Sequence, residues 1–517
     1  MPRKLVLCVI DSLKTEMLER CVAEGTAPTL AGLLERGTLI PDCVSAFPSV
    51  TPVCCASITT GTGVDRHHIP AMNWFHRAED RYVEYGSSLA AVRSVGFLRS
   101  MEDTVYNMNM AHLNPRAETV FERLEDAGVS TACTPFLSYR GRTRHEMGLE
   151  GVMGRVVRAA DFRWAVWGPT ELFYGELYAS RRVDCAPTLG RPTARDPYSG
   201  CVGEHVVRND LVDFLLFSLP DNDYYSHRDG PVAQLDSIPR ADEQLARLVS
   251  AAGGIDAFCD EYAVIVMADH SQTTVREEFA VIDLLAGRWR VRHPAGGPES
   301  AELAVSPSSR AASVYVLGEG RRRELTHRRV RETLADQRAV DVVTWLADGQ
   351  GRATDPLQRG GRSAEAVVRT GLGTLRFRPG TGLRDRRGGQ WDLEGDPAVL
   401  AGTVTDGCFA SDEYPDALGR LWSALTAPSS GDILCSLARG YEAVDWGGST
   451  HVPGGSHGSL HAGDSLSPLV FVGCGPQTPS SEPEQWTLRD VAPVVLDHFG
   501  VPAQSEQPGE VRRAGTL

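Results

Sequence analysis

The sequence has no apolar run long enough to span a bilayer, no CxxC pair, no internal repeat and no excess of positive charge. Each absence removes a class of protein. A membrane-spanning helix needs about 20 consecutive apolar residues. The N-terminal run Leu5–Ile10 is far shorter and ends on Asp11. A secretory signal needs a longer stretch and a cleavage site, so this run is expected as a first β-strand and the protein as cytoplasmic. The 12 cysteines lie singly apart from Cys54-Cys55, without zinc-ribbon spacing. They are expected as small buried residues of a reducing compartment. The formal net charge of −15 argues against a surface that coats nucleic acid or binds an anionic membrane. It still allows a small, locally positive pocket made by metal ions.

What is present describes a large soluble-type chain. At 517 residues it exceeds one simple core, so a large domain with an insertion, or two domains, is expected. Three apolar runs share one pattern: Lys4–Ile10 runs into Asp11, Asp213–Leu219 into Pro220-Asp221-Asn222-Asp223, and Tyr262–Ala268 into Asp269-His270. Continuous runs without alternation fit strands covered on both faces of a parallel sheet. A fourth such run is Pro468–Gly473, and helical stretches such as Ala27–Arg36 and Ala241–Ala252 lie between the runs. The expectation is an α/β fold with a mostly parallel central sheet flanked by helices. Residues 285–430 are rich in Arg and Gly, with short strand candidates at Ser313–Leu317 and Val342–Leu346 around a helix at Arg328–Gln337. They read as an inserted smaller α+β domain between core segments 1–284 and 431–517, the chain returning to the main sheet through Asp432–Leu437.

Ligands of such sheets bind outside the carboxyl ends of the strands, and three strands here aim acids at one rim. The stretch SAFPSVTPVCC raises a related point. Thr51 reads as a helix N-cap with Pro52 at the first helical position and Gly61 closing the helix. A hydroxyl at the positive end of a helix is also well placed to attack a phosphate. Asp carboxylates and His nitrogens hold hard and borderline cations, and catalytic sites keep positions open for substrate. The candidate ligands are Asp11, Asp223 with His227 in DYYSH, Asp269-His270, and a late His in GGSHGSLHAGDS, either His457 or His461.

With VIDSL, FPSVTP…ASITTG, PDNDYYSHRDGP, MADHS and SHGS…PLVFVGCGP in this order, the chain resembles the alkaline phosphatase superfamily, and within it the nucleotide pyrophosphatase/phosphodiesterase branch. The resemblance covers roughly 1–290 and 430–517. It implies two divalent metal ions, zinc with manganese as the alternative. One would be held by Asp223, His227 and His457, the other by Asp11, Asp269, His270 and the Thr51 hydroxyl. It implies Thr51 as nucleophile, forming a phosphothreonine intermediate, and Asn73 in HHIPAMNWF as a holder of a phosphate oxygen. His67 and His68 receive no ligand role. The Ser-His-Gly context favours His457 over His461, and the i, i+4 spacing to His227 favours Asp223 over Asp221. The sulfatase-type C-x-P-x-R signature is absent, and no Ser replaces Thr51 as in phosphoglycerate-mutase-like members.

The function expected is hydrolysis of phosphodiester or pyrophosphate bonds in a small-molecule phosphate ester or nucleotide, with no nucleic acid or membrane partner. The alternative is a phosphomonoesterase or a phosphonoacetate-type C–P hydrolase using the same site, and the third is a non-enzymatic binding module on the inherited fold. Trp74, Phe75 and Tyr224 near the motifs suggest an aromatic slot for the non-transferred group of a diester.

Overall fold

Alternate residues of the strand Lys4–Ile10 enter two different cores. Leu5, Leu7 and Val9 pack with Cys54, Cys55 and Ile58 of the helix Thr51–Thr60. Val6, Cys8 and Ile10 pack with Leu245 and Leu248 of the helix Gln234–Ala251. The same split divides Phe214 and Leu216 from Leu215 and Phe217, and Ile265 from Val264 and Val266. Both faces are covered, which is why these runs do not alternate. The computed structural model describes residues 2–148, 165–175, 177–188, 190–296, 300–348, 364–475 and 485–503.

Among the described residues, eight strands form the central sheet, in the order Thr38–Val44, Leu466–Val472, Tyr262–Met267, Lys4–Ile10, Phe214–Leu219, Thr131–Cys133, Glu171–Tyr174 and Tyr178–Ala179. Lys4–Ile10 runs parallel to both of its neighbours, with Leu5 opposite Phe214 and Ala263. Their carboxyl ends therefore share one rim. The sheet is mixed, because Leu466–Val472 is antiparallel to both Tyr262–Met267 and Thr38–Val44. The chain arrives at this strand from the rim itself, past His457, so it can only run back down the sheet.

Among the described residues, a second sheet gathers nine strands between Leu303 and Leu437. The helix Ala417–Thr426 covers one face through Leu418, Leu421 and Leu425, and Gly320–Ala335 covers the other through Val330 and Leu334. Here the expectation for Asp432–Leu437 needs correction. Ile433–Leu437 does not return to the central sheet; it pairs with Ala311–Val316 and Val340–Ala347 in the middle of the second one. An apolar run reports burial on both faces, not which sheet supplies it. The Arg- and Gly-rich residues 359–363 lie outside the described residues.

Cys185 and Cys201 form a disulfide, a pairing that the reading of the cysteines as reduced, isolated residues did not anticipate. The other ten are free and buried or half-buried. Among the described residues, no helix is long and apolar enough to cross a membrane.

Candidate active site

The three strand ends deliver their acids together. Asp11 follows Ile10, and its N–H donates to Leu219 O at 3.1 Å. Asp223 and His227 lie one turn apart on the helix Asp221–Asp229, with His227 Nε2 3.4 Å from Asp223 Oδ2. Asp269 and His270 follow Met267 and are buried. His457 arrives from the far end of the chain, also buried.

Thr51 begins the helix Thr51–Thr60 and does not cap it. Val50 is the extended residue before the helix, and no side-chain capping bond forms. The Thr51 hydroxyl instead lies 3.3 Å from His270 Nε2. Pro52 is the second helical residue, and Gly61, at φ 66°, closes the helix by donating to Ser57 O. The left-handed conformation there suits glycine.

The acids and imidazoles form two groups sharing His270. In one, Asp223, His270 and His457 bring ligand atoms within 4.8 Å of each other; in the other, Asp11, Asp269 and His270 do so. His227 joins the first, with its Nε2 3.1 Å from His457 Nε2. In the second, His270 Nε2 is 3.8 Å from Asp11 Oδ1 and 3.4 Å from Asp269 Oδ2. Asp11 Oδ1 and Asp269 Oδ2 are buried without a hydrogen-bond partner. Buried carboxylate oxygens left without donors are costly.

The electrostatics agree with that cost. Burial, then Asp269 and Asp223, pushes the Asp11 carboxyl well above its ordinary range. Burial raises Asp269 to about 6. Burial opposes ionisation of Asp223 too, but the neighbouring His227 and His457 outweigh it and hold its pKa low. Burial lowers His227, His270 and His457 each to about 4. Neutral imidazoles beside crowded carboxylates are a donor set that suits divalent cations.

The remaining candidates separate cleanly. Asn73 starts the strand Asn73–His76, buried, with its Nδ2 donating to Pro307 O and its Oδ1 unpartnered. Asp221 faces away, accepting from Arg195 Nε at 2.8 Å and Asp196 N at 3.0 Å. His461 lies with Glu413, at 2.6 Å, and Asp341, at 3.0 Å. His67 is buried against Ser57 Oγ at 3.1 Å. Trp74 and Phe75 are core residues and form no open slot: Trp74 Nε1 donates to Tyr85, and Phe75 packs on Tyr82 and Tyr315. Of the three aromatics, only Tyr224 is half-exposed, with the Arg228 guanidinium 5.7 Å from its ring centre.

Several supporting residues carry no motif. Ser12, held at φ 59°, donates its N–H to Asp269 Oδ1 and its hydroxyl to Asp223 Oδ1 at 2.6 Å. Gln272 Nε2 donates to the same Asp223 oxygen at 2.5 Å. The His451 ring stacks on His227 at 3.7 Å and pairs with buried Glu442 at 2.7 Å. Arg310, at a hairpin of the second sheet, makes a fully buried pair with Asp464 at 2.6 Å, and its N–H donates to His457 O. The only sequence signal for these is adjacency, as with Ser12 beside Asp11.

The sequence matches the type I phosphodiesterase / nucleotide pyrophosphatase family over residues 5–364. The chain belongs to this family. It is a hydrolase of the phosphodiesterase/nucleotide pyrophosphatase type. No curated protein matches the sequence. Among solved structures, murine ectonucleotide pyrophosphatase/phosphodiesterase 5 is similar with a TM-score of 0.57 at 11% identity, covering 98% of this chain and 97% of the murine one. The human counterpart gives 0.56 at 11% identity, over 98% and 97% of the two chains. Phosphonoacetate hydrolase from Sinorhizobium meliloti, in complex with phosphonoacetate, gives 0.53 at 17% identity over 96% of each chain. At these identities the structural likeness establishes the fold. The family is metal-dependent, and this chain carries candidate ligand clusters for metal.

Proposed function

We propose that this family member hydrolyses phosphodiester or pyrophosphate bonds of a nucleotide or similar small phosphate ester through Thr51. The observation that carries the proposal is the placement of the Thr51 hydroxyl beside His270, which belongs to both carboxylate–imidazole groups. Asp223, His227 and His457 would hold one divalent cation, and Asp11, Asp269, His270 and Thr51 the other, with zinc favoured and manganese the alternative. Bound cations there would favour ionisation of the Thr51 hydroxyl and offset negative charge on the attacking and leaving oxygens.

The protein residues supply the rest. The helix beginning at Thr51 directs its N-terminal dipole toward the incoming phosphate and fixes the hydroxyl for in-line attack. The new Thr51 Oγ1–P bond would form as the bond to the leaving oxygen breaks, the hydroxyl proton being lost and the leaving oxygen taking one up. Water would then attack the phosphorus in a second displacement, breaking the P–Oγ1 bond, releasing the phosphate product and a proton, and returning the Thr51 hydroxyl. The unpaired lone pairs of Asn73 Oδ1 are compatible with an amide that keeps contact with Pro307 through Nδ2. For the role of holding a phosphate oxygen, the second N–H of Nδ2 would donate to substrate while the first stays on Pro307 O. One solved structure of the murine relative is an inactive variant, threonine changed to alanine, in complex with AMP, which supports the nucleophile and substrate class proposed here.

An assay of metal-loaded protein tests the reaction class. An aryl nucleotide diester should turn over at least about tenfold faster than the matching monoester or phosphonoacetate. A reversed ranking replaces the diester reading with phosphomonoester or C–P hydrolysis at the same residues.

A further inference from the structure

The helix Gly320–Ala335 is strongly basic in an acidic chain: Arg321, Arg322, Arg323, Arg328, Arg329 and Arg331 stand against Glu324 and Glu332. It buries Thr326, His327, Val330, Thr333 and Leu334 against the second sheet. The opposite face centres on Leu325, 37% exposed, with exposed arginines at i−4, i−3, i+3 and i+4. These positions share one helix face. Of those four arginines, Arg322 is tied to Glu302 at 2.8 Å.

The sheet extends the charge. The Arg331 guanidinium lies 4.3 Å from the centre of the Trp345 ring. Trp345 pairs with Val367 and Val367 with Arg376, while Val343 pairs with Arg369. Arg369 and Arg376 therefore share the sheet face on which the helix packs. Burial lowers the Arg331 pKa, and the charges of Arg328, Arg369 and Arg376 add to the fall. Glu365 answers Arg376 at 3.3 Å and Arg378 at 3.9 Å. Three residues beyond Arg369, Leu372 projects from the hairpin tip, 75% exposed.

We propose that this face, the Gly320–Ala335 helix with the Leu372 hairpin tip, docks on a membrane surface carrying anionic lipids. Clustered guanidinium groups repel one another in water, and an anionic headgroup layer relieves that repulsion. Leu325 on the helix and Leu372 at the hairpin tip are exposed, and such leucines gain by entering the headgroup–acyl boundary. A single-stranded nucleic acid surface would offer aromatic platforms, whereas Trp345 here is buried. The net charge of −15, the ground in the sequence for expecting no membrane partner, is a sum over the whole chain. Charges beyond about 8 Å are screened at physiological salt, so the local arginine cluster governs docking at this face.

Sedimentation of the full chain with vesicles tests the proposal. Binding to vesicles of equal parts phosphatidylcholine and phosphatidylglycerol should exceed binding to phosphatidylcholine alone by about tenfold or more, and about 0.5 M salt should release it. The double variant Arg328→Glu, Arg329→Glu should lose most of this binding. Leu372→Ser should weaken it several-fold, while Arg144→Glu, on the strand Thr143–Glu146 outside the second sheet, leaves it intact. Equal binding to both vesicles, or no salt effect on the wild type, overturns the proposal. So does an unaffected arginine double variant that melts like wild type. Tight binding of single-stranded RNA that Leu372→Ser leaves unchanged, with no vesicle binding, assigns the face to nucleic acid and also overturns it.

Discussion

His227 Nε2 and His457 Nε2 face each other across 3.1 Å. Each ring turns its Nδ1 to a backbone carbonyl, Gly455 O for His227 and Ser49 O for His457, both at 2.8 Å. Each Nδ1 must then carry the proton and donate it, leaving a lone pair on each Nε2. Burial holds both rings neutral. Two lone pairs directed at one another are repulsive, and a cation held between them would turn that repulsion into ligation.

Metal removal should therefore act on stability as well as turnover. Purified protein should carry about two divalent ions per chain, lose activity to a chelator and recover it with zinc or manganese. Its melting temperature should fall on chelation, since ligands that bind only the folded state stabilise it. Full turnover and unchanged melting in metal-free protein would contradict the assignment.

The two late histidines should differ. His457→Ala removes a member of the Asp223 group and should abolish activity and lower metal content. His461→Ala breaks contacts with Glu413 and Asp341 and should have the milder effect on turnover. Metal analysis of both variants checks the ranking.

These pairs show what could be read in advance. Asp11, Asp223 and Asp269 were legible because parallel strands put their carboxyl ends on one rim, and His227 because a helix repeats near every fourth residue. The start of a helix at Thr51 was legible from Pro52 and the apolar residues behind it, although Val50 holds the capping position and the Thr51 hydroxyl lies beside His270 instead. Trp74 and Phe75 misled, since nearness to a motif says nothing of exposure. Ile433–Leu437 misled because two sheets can bury the same apolar run equally well. Ser12, Gln272 and the Arg310–Asp464 pair depend on contacts between distant segments, which no local pattern encodes.

The Arg310–Asp464 pair should prove essential to the fold around the site. Both side chains are fully buried, and Asp464 also accepts from the Ser459 N–H and hydroxyl. Asp464→Asn should cost about 3–5 kcal/mol by leaving the guanidinium uncompensated. Denaturant unfolding measures this loss, and metal affinity should fall with it because Arg310 N–H also holds the His457 carbonyl.

Two buried groups away from the metal ligands should bend the pH–stability curve in opposite directions. Burial lowers His67 from 6.5 to about 3. Between these values the unfolded chain binds more protons, so this contribution is present above 6.5 and lost as pH falls toward 3. Burial raises Glu84 from 4.5 to about 7. Its contribution is present below 4.5 and lost as pH rises through 7. Relative to wild type, His67→Gln should flatten the acid limb and Glu84→Gln should gain stability from pH 4.5 to 7. Each slope changes by up to about 1.4 kcal/mol per pH unit. Chemical unfolding across pH checks both signs.

The most direct measurement concerns Thr51. Because its hydroxyl makes no capping bond, Thr51→Ala should change stability by less than about 1 kcal/mol while lowering turnover by several orders of magnitude. Thr51→Ser should keep part of the activity. Mass spectrometry of acid-quenched wild-type enzyme should find phosphate on the peptide spanning residue 51, and none in the alanine variant. A folded Thr51→Ala protein with near-normal turnover and no phosphopeptide in the wild type would contradict the account.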